Sequence, residues 1–344
     1  MKVCKHCFND IELQGFVDSN SKEKGICDYC KGSETDIIEL SDLLDFFTEF
    51  FNLFKYDDNG EPLTYLVNKD WNIFANYEES DYNYQIIYHI LKAIDSDIPN
   101  YGAKVVYQDE ITNSINYWGQ LKEKLKWESR FLTNLEDLKE YRWDYYFSQN
   151  TVNLANNDSL YRARIHQDSQ TDKFKFDEMG YPDKTKVIEG RANPAGIPYL
   201  YLSKSKETTL YETRVSYLDE VSIGEFRVKN EETVSLVDFT KIPSAFSYNT
   251  DNSDSIEDFA KSVLLKKRIS EELSKPLRRY DSVLEYIPTQ FICEYIRHIT
   301  GADGILFESS LHKGGQNVVL FSQDKVECVN VSSVKVQEVE IKAE

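Results

Sequence analysis

The sequence predicts an α+β protein in three successive parts. Paired cysteines mark residues 1–35, helical periodicity dominates residues 36–150, and short strands mixed with helices occupy residues 151–344. A chain of 344 residues is long enough for two or three domains with cores of their own. The composition, 41% hydrophobic and 13% aromatic, is typical of a globular protein and excludes disorder throughout the chain.

The first part carries a candidate metal site. Four of the six cysteines form two CxxC pairs with nineteen residues between them: Cys4, Cys7, Cys27 and Cys30. Each pair makes a tight knuckle that directs two thiolates at one ion, and four sulfur ligands suit a closed, tetrahedral Zn²⁺ site. The alternative is two disulfides, which a cytosolic chain disfavours. We therefore predict a structural four-cysteine zinc knuckle over residues 1–35.

The second part predicts a mainly α-helical domain. In DYNYQIIYHILKAI, the apolar residues from Tyr84 to Leu91 follow the i, i+3, i+4, i+7 spacing of one helix face. The segments SDLLDFFTEFFNLF, SINYWGQLKEKLKWESRFL and LEDLKEYRWDYYF show similar helical patterns. The polar stretch SQNTVNLANNDS, residues 148–159, lacks such a pattern and predicts a domain boundary near residue 150.

The third part predicts a mixed β core with helices. Strand-like alternation occurs in LYRARIH, YLYLS, SIGEFRV and TVSLVDF, and again in GILFESS, NVVLF, KVECVNV and KVQEVEI. Helical patterns lie between these runs, in KSKETTLYETR, SIEDFAKSVLLKKRISEEL and IPTQFICEYIRHITG. This mixture of strands and helices predicts one α+β domain over residues 151–344.

The charge balance excludes several classes of partner. A formal net charge of −19 disfavours direct binding along nucleic acid, where Lys and Arg must neutralise phosphates. It also disfavours anionic membrane surfaces, and no apolar run reaches the length of a membrane span. The N-terminal residues show no apolar leader. We therefore expect a soluble cytoplasmic protein without a membrane partner.

The third part also carries the residues that suggest chemistry. It has no GxGxxG, P-loop or HExxH motif. Arginine binds phosphate bidentately, tyrosine stacks on flat rings, and a carboxylate stabilises an oxocarbenium ion. Cleavage of the N-glycosidic bond of NAD⁺ needs all three, although these residue types alone leave other anionic substrates open. The candidates at predicted strand ends and turns are Arg162, Arg191, Tyr201, Glu212, Ser309 and Asn317.

Four blocks of the third part resemble a known family, the RES domain, which is named for an Arg, a Glu and a Ser. They are LYRAR (160–164), GRANPAGIPYLYLSKSKETTLYE (190–212), YIPTQFICEYIRHITGADGILFESS (286–310) and GGQNVVLF (314–321). The resemblance implies an ADP-ribosyltransferase-like fold. It also implies a bacterial toxin that destroys NAD⁺ by hydrolysis or phosphorolysis and is held by a paired Xre-type antitoxin.

The resemblance implies roles for the residues that match the family's motifs. Arg162 corresponds to the family arginine and Glu212, in TLYE, to the glutamate. Ser309 corresponds to the serine because it stands five residues before the GG pair, and Ser310 is its competitor.

Three further residues belong to the same motifs. Tyr201, in YLYLS, corresponds to the tyrosine on the nicotinamide side of the family site, and it is the fourth candidate catalytic residue. Arg191 and Asn317 are expected to shape the phosphate or ribose contacts. The chain departs from the family at Ala192, where members commonly have Trp or Phe, and this puts the shape of the first loop in doubt.

Three hypotheses remain open at this point. The chain is an NAD⁺ glycohydrolase or phosphorylase, an ADP-ribosyltransferase that modifies a macromolecule, or an inactive interaction protein built on a zinc ribbon. The cysteine-bearing and helical extension resembles that of some RES proteins, and suggests sensing or regulation, for example in phage defence. The sequence leaves open whether water or phosphate is the nucleophile, and which antitoxin or other regulatory protein binds.

Overall fold

The computed structural model describes residues 1–75, 82–166, 172–248, 255–276 and 282–339. It divides into two compact units. The N-terminal unit comprises Met1–Tyr117 and Ile242–Leu265, and the C-terminal unit comprises Trp118–Lys241 and Lys266–Glu344. In the part of the chain with described coordinates, every helix is too short or too polar to span a bilayer.

The N-terminal unit combines helices with two small sheets. Strands β1, β3 and β2 form one antiparallel sheet, and β4 pairs with β5 in another. Its elements are β1 (Lys2–Cys4), α1 (Ile11–Asn20), β2 (Glu23–Gly25), β3 (Thr35–Glu39), α2 (Leu44–Phe51), β4 (Phe54–Pro62), α3 (Leu63–Leu66), α4 (Tyr82–Ala93), β5 (Lys104–Tyr107) and the first parts of α5 (Asp109–Trp127) and α9 (Ile256–Ser274).

Aromatic side chains from the predicted helices fill the core of this unit. Phe47, Phe50 and Phe51 of α2 are buried and pack edge-to-face or stacked on one another and on Phe74. The burial of α2 agrees with the broad apolar face in its sequence. The β4–β5 pair was not expected, because the Asp-Asp-Asn-Gly run inside β4 has the pattern of a turn. That run bulges out of the pairing between Tyr56 and Glu61.

The C-terminal unit is organised around one eight-stranded mixed sheet. Its strand order is β13-β9-β7-β8-β12-β11-β10-β6, with β10 and β11 parallel and the other pairs antiparallel. The elements are the last part of α5 (Asp109–Trp127), α6 (Leu135–Glu140), α7 (Trp143–Gln149), β6 (Thr151–Leu154), β7 (Leu160–Ile165), β8 (Leu200–Ser203), α8 (Lys206–Thr213), β9 (Glu220–Val228), β10 (Val234–Asp238), the last part of α9 (Ile256–Ser274), α10 (Ile287–Ile299), β11 (Gly304–Glu308), β12 (Gln316–Leu320) and β13 (Val326–Lys335).

The sheet opens between its central strands. Strand β7 pairs with β9 along its whole length, from Leu160 to Ile165, and β8 pairs with β12 over four residues. In contrast, β7 and β8 pair with each other only at Tyr161 and Ser203. Beyond that pair β7 and β8 share no further pairing, so Arg162 of β7 and Tyr201 of β8 border an opening between these two strands.

The predicted fold class is confirmed: a mixed β core with helices follows a cysteine cluster and a mainly helical segment. The run KVECVNV lies in β13 as predicted, whereas KVQEVEI contributes only its first residue, Lys335, to that strand and forms no described strand of its own. The last register pair of β13 with β9 is Lys335 with Glu220, and two backbone hydrogen bonds follow, from the Val336 N–H to the Asp219 carbonyl and from the Leu218 N–H to the Val336 carbonyl. The last two residues of the second run lie outside the described residues. The domain boundaries at residues 35 and 150 remain predictions.

Candidate active site and metal centre

A cleft of about 600 Å³ lies at the opening between β7 and β8. A volume of this size suits a small-molecule site. Five of the six residues predicted from the sequence line it. The sixth, Ser309, does not, but its neighbour Ser310 does. The five are Arg162, Arg191, Tyr201, Glu212 and Asn317.

Arg162 extends from β7 just past the pair that joins β7 to β8. Its Nη1 is shielded from solvent and has no hydrogen-bond partner among the described residues. Burial, with a smaller contribution from the charge of Arg164, lowers the pKa of Arg162 to about 10, so the guanidinium stays protonated at neutral pH. A buried cation with an unpaired N–H group is costly unless an anion is bound beside it. This side chain can therefore accept an anionic ligand without giving up another contact at Nη1.

Helix α8 is capped by Ser205 and held on β7 by Thr209. Ser205 caps the helix N-terminus by accepting a hydrogen bond from the Thr208 N–H at 3.0 Å. Thr209, which is buried, accepts a hydrogen bond at its Oγ1 from the Ala163 N–H at 3.1 Å. These contacts hold the last turn of the helix, which carries Glu212, at the edge of the cleft.

The carboxylate of Glu212 is held by one oxygen. Its Oε1 accepts hydrogen bonds from Ser309 Oγ at 2.6 Å and from Asn317 Nδ2 at 2.7 Å. Its Oε2 accepts none from the residues that the structure describes. The side chain is thus oriented while one oxygen stays open for a ligand hydroxyl or a developing positive charge.

Asn317 and Ser309 are themselves held in place by further hydrogen bonds. Asn317 is buried on β12, and its Oδ1 accepts a hydrogen bond from Ser203 Oγ at 2.8 Å. Because a carboxylate only accepts hydrogen bonds, the amide nitrogen of Asn317 must face Glu212. Ser309 Oγ donates to Glu212 and accepts from the backbone N–H of His312 at 3.0 Å. The contacts of Ser309 thus orient the carboxylate, although the residue is not one of those that line the cleft.

Tyr201 lines the cleft with a hydroxyl that is already engaged. The hydroxyl donates to Asn193 Oδ1 at 2.7 Å and accepts from the Ala192 N–H at 3.0 Å, and burial raises its pKa. Position 190 must be glycine, since an added Cβ would lie 2.7 Å from the Tyr201 hydroxyl. The hydroxyl therefore holds the loop that contains the family departure at Ala192, and only the ring is available to a ligand.

Arg191 also lines the cleft with much of its guanidinium engaged. Its Nη1 donates to the Glu272 carbonyl at 2.8 Å and its Nη2 to the Lys275 carbonyl, at the C-terminal end of α9. The guanidinium also lies over the ring of Tyr286, 5.8 Å from its centroid. Burial lowers the pKa of Arg191. Its main contacts fix one wall of the cleft, to which it adds positive charge.

The cleft has a local charge opposite to that of the whole chain. Arg162, Arg191 and Arg214 line it beside Glu212, whereas the protein as a whole carries −19. Three arginines around one carboxylate suit a ligand with a phosphate or pyrophosphate group.

Sequence reasoning missed Ser203, Tyr286 and His312. A signal existed for Ser203, because strand alternation puts it on the same face as Tyr201. Tyr286 begins one of the four quoted blocks, but nothing in its neighbourhood marks it as a cleft residue. His312 had no signal, because its side-chain contact to Thr208 joins residues 104 positions apart.

The four N-terminal cysteines converge in the N-terminal unit. Their sulfur atoms all lie within 4.8 Å of one another, with 3.4 Å between Cys4 and Cys30, 3.6 Å between Cys7 and Cys27, and 4.0 Å between Cys4 and Cys7. Cys30 is half-buried, the other three are buried, and all four are free thiols, so the alternative of two disulfides is wrong.

This cluster fits a tetrahedral metal ion. A Zn–S distance of about 2.3 Å places the sulfurs of a tetrahedral site about 3.8 Å apart, close to the separations found here. With four sulfur ligands there is no open coordination position, which is the arrangement of a structural site. Cys4, Cys7, Cys27 and Cys30 therefore form a candidate metal-binding site.

Comparison with known proteins agrees with the geometry of the cleft. The family model described as RES domain matches residues 159–341, just over half of the chain, and this range includes every lining residue of the cleft named above. No curated protein and no solved structure matches the chain. The chain therefore belongs to the RES domain family, a family of NAD-utilising toxins and effectors.

Proposed function

We propose that the protein cleaves the bond between nicotinamide and ribose in NAD⁺. The observation that carries this proposal is the carboxylate of Glu212, oriented through one oxygen and open at the other. It lies in the same cleft as Arg162, whose Nη1 lacks a partner among the described residues. A fixed carboxylate suits a reaction that develops positive charge, and an unpaired guanidinium N–H suits an anionic substrate.

The chemistry follows from these two groups. As the C–N bond breaks, its electron pair leaves with nicotinamide, and positive charge develops on the ribose ring. Glu212 stabilises that charge and accepts a hydrogen bond from a ribose hydroxyl, so its contribution is largest in the transition state. Arg162 binds the pyrophosphate. Water then adds to the ribose carbon and gives ADP-ribose, nicotinamide and a proton, or inorganic phosphate adds and gives phosphorylated ADP-ribose.

Ser309 acts through Glu212 in this proposal. Its proton points to the carboxylate, and its oxygen already accepts from backbone N–H groups. A serine nucleophile needs a neighbouring base that removes its proton as the new bond forms. In this proposal the one neighbouring carboxylate, Glu212, acts on the ribose instead. We therefore assign Ser309, with Asn317, to the orientation of Glu212.

The wider setting is part of the same proposal. We propose that the ion held by the four cysteines is Zn²⁺, because four thiolates at tetrahedral separations favour it. Family membership supports a toxin of a toxin–antitoxin or phage-defence system, a cytoplasmic location, and an Xre-type antitoxin or another regulatory protein as partner.

One experiment separates the hypotheses. Purified protein is incubated with NAD⁺, with and without inorganic phosphate, and the products are identified by mass spectrometry. Free nicotinamide with ADP-ribose indicates hydrolysis, and phosphorylated ADP-ribose indicates phosphorolysis. When a cell extract is added, ADP-ribose attached to one of its macromolecules indicates a transferase.

The matched controls for this experiment are two Glu→Gln variants. Glu212→Gln should cleave NAD⁺ about 10² to 10³ times more slowly, whereas Glu232→Gln, in an exposed turn after β9, should behave as wild type. Intact NAD⁺ with the wild-type protein would leave the inactive interaction protein as the surviving hypothesis.

A further inference from the structure

The loop between β11 and β12 carries Ser309, which bonds to Glu212 of helix α8, and His312, which is a second point of attachment to the same helix. The His312 Nδ1 forms a hydrogen bond with Thr208 Oγ1 at 2.8 Å. Its ring stacks on Tyr211, with centroids 4.8 Å apart and planes 2° from parallel. Its Nε2 lies 3.7 Å from a carboxylate oxygen of Glu207. Three residues of α8 thus contact one imidazole, on the helix that also carries Glu212.

The backbone of His312 organises the loop itself. Its N–H donates to Ser309 Oγ at 3.0 Å, and its carbonyl accepts from the Gly315 N–H at 2.9 Å. Gly314 has a φ of +75°, which favours glycine. An added Cβ at Gly315 would lie 2.6 Å from Thr208 Oγ1 and 2.8 Å from His312 Nδ1. The glycine pair therefore lets the loop approach α8 closely enough for the imidazole to make its contacts.

These contacts stand one step away from the candidate reaction centre. Ser309 reaches Glu212 from the loop, and Glu212 extends from α8, so the hydrogen bond between them joins the two elements that His312 fastens. His312 does not line the cleft. Its effect on a ligand must therefore pass through the position of Ser309 and Glu212.

We propose that His312 is a positioning residue, which sets the separation of Ser309 and Glu212 by fastening their loop and helix together. Its expected effect on turnover rests on the proposed function, whereas its effect on the loop does not. The imidazole acts through its hydrogen bond to Thr208 and its stacking on Tyr211.

The kinetic test compares three histidine variants. His312→Ala should lower kcat for NAD⁺ cleavage by roughly ten- to a hundredfold, the scale of misplacing a catalytic group, with KM changed less than twofold. His312→Asn should recover part of the loss, because its amide reaches the place of Nδ1 and can bond to Thr208. His298→Ala is the control, since His298 is exposed on the last turn of α10. Normal kcat in His312→Ala would overturn the proposal.

A second measurement does not depend on NAD⁺. Hydrogen exchange, followed by mass spectrometry over residues 305–316, should be faster than in wild type for His312→Ala and for Thr208→Val, and unchanged for His298→Ala. Unchanged exchange in the first two variants would overturn the proposal. If the wild-type protein leaves NAD⁺ intact, the proposed function fails, and this exchange measurement still decides whether His312 fastens the loop.

Discussion

The cysteine cluster and the cleft collect reactive side chains in opposite ways. In the N-terminal unit, four sulfurs face one another at separations that one tetrahedral ion satisfies. In the cleft, Arg162 Nη1 and Glu212 Oε2 are left without partners among the residues described. A closed set of ligands serves stability, because every group is satisfied within the protein. An open set serves binding and chemistry, because a ligand must supply what is missing.

The largest effect is expected when the cysteine cluster loses its metal or one of its ligands. Removing the metal with a strong chelator, or replacing Cys27 with serine, should unfold the knuckle, since binding of structural zinc supplies about 10–16 kcal/mol in zinc-finger peptides. Metal analysis of protein purified without chelator should give about one zinc per chain, and unfolding should be followed by hydrogen exchange in residues 1–40. Cys328→Ser, on β13 and outside the cluster, is the control. A content well below one zinc per chain would contradict the assignment.

The next largest effect is expected when the carboxylate of the cleft is replaced. Glu212→Gln keeps the shape of the side chain but removes the charge that stabilises the transition state. Turnover of NAD⁺ should fall by about 10² to 10³, the scale of losing one electrostatic stabiliser, while NAD⁺ still binds. Rates of nicotinamide release and a calorimetric titration measure the two quantities. A normal rate in this variant would refute the mechanism.

Removal of the unpaired cation should act on binding. Arg162→Ala should weaken NAD⁺ binding by about 2 to 4 kcal/mol, because a charged partner of the pyrophosphate is lost. The same titration measures it, with Arg227→Ala as control, since Arg227 is exposed on β9 and pairs with Glu225. Equal weakening in both variants would point to overall charge rather than to a contact in the cleft.

The smallest effect tests how the carboxylate is held. Asn317→Ala removes one of the two hydrogen bonds to Glu212 Oε1 and leaves the Ser203 hydroxyl without its acceptor. Turnover should fall by roughly tenfold, less than in Glu212→Gln, and the free energy of unfolding by about 1–3 kcal/mol. Steady-state kinetics and a thermal melt separate the two. If KM rises and kcat stays normal, Asn317 contacts the substrate directly, as the sequence first suggested.

Sequence patterns predicted those features of the cysteine cluster and of the cleft that depend on residues close together in the sequence. The CxxC spacing indicated the metal cluster, and alternation indicated β7 and β8, because both signals are local. The opening between those strands could not be predicted, since it results from pairing that stops at Tyr161 and Ser203. Local patterns also could not show the hydrogen-bond partners of Glu212, because Ser309 and Asn317 lie 97 and 105 positions away in the sequence.

The resemblance to the RES family supplied residue names that local patterns could not. It placed Arg162, Tyr201 and Glu212 in one site, and the structure brings all three to one cleft. It did not indicate that the Tyr201 hydroxyl and the Arg191 guanidinium are engaged by backbone and side-chain partners. Those partners come from loops and helix ends, whose positions depend on the packing of the whole unit.

Gly315 has a consequence for how sequence variation in this chain is interpreted. It has no functional group, yet any side chain there would collide with Thr208 and His312. A genetic screen for variants that lose activity should therefore recover substitutions at this codon alongside those at Glu212, and a set of active relatives should keep glycine at both positions of the pair. An invariant glycine at such a site would reflect the close packing of a loop on a helix. A search for catalytic residues that ranks positions by invariance alone would therefore rank Gly315 as high as a residue that takes part in the reaction.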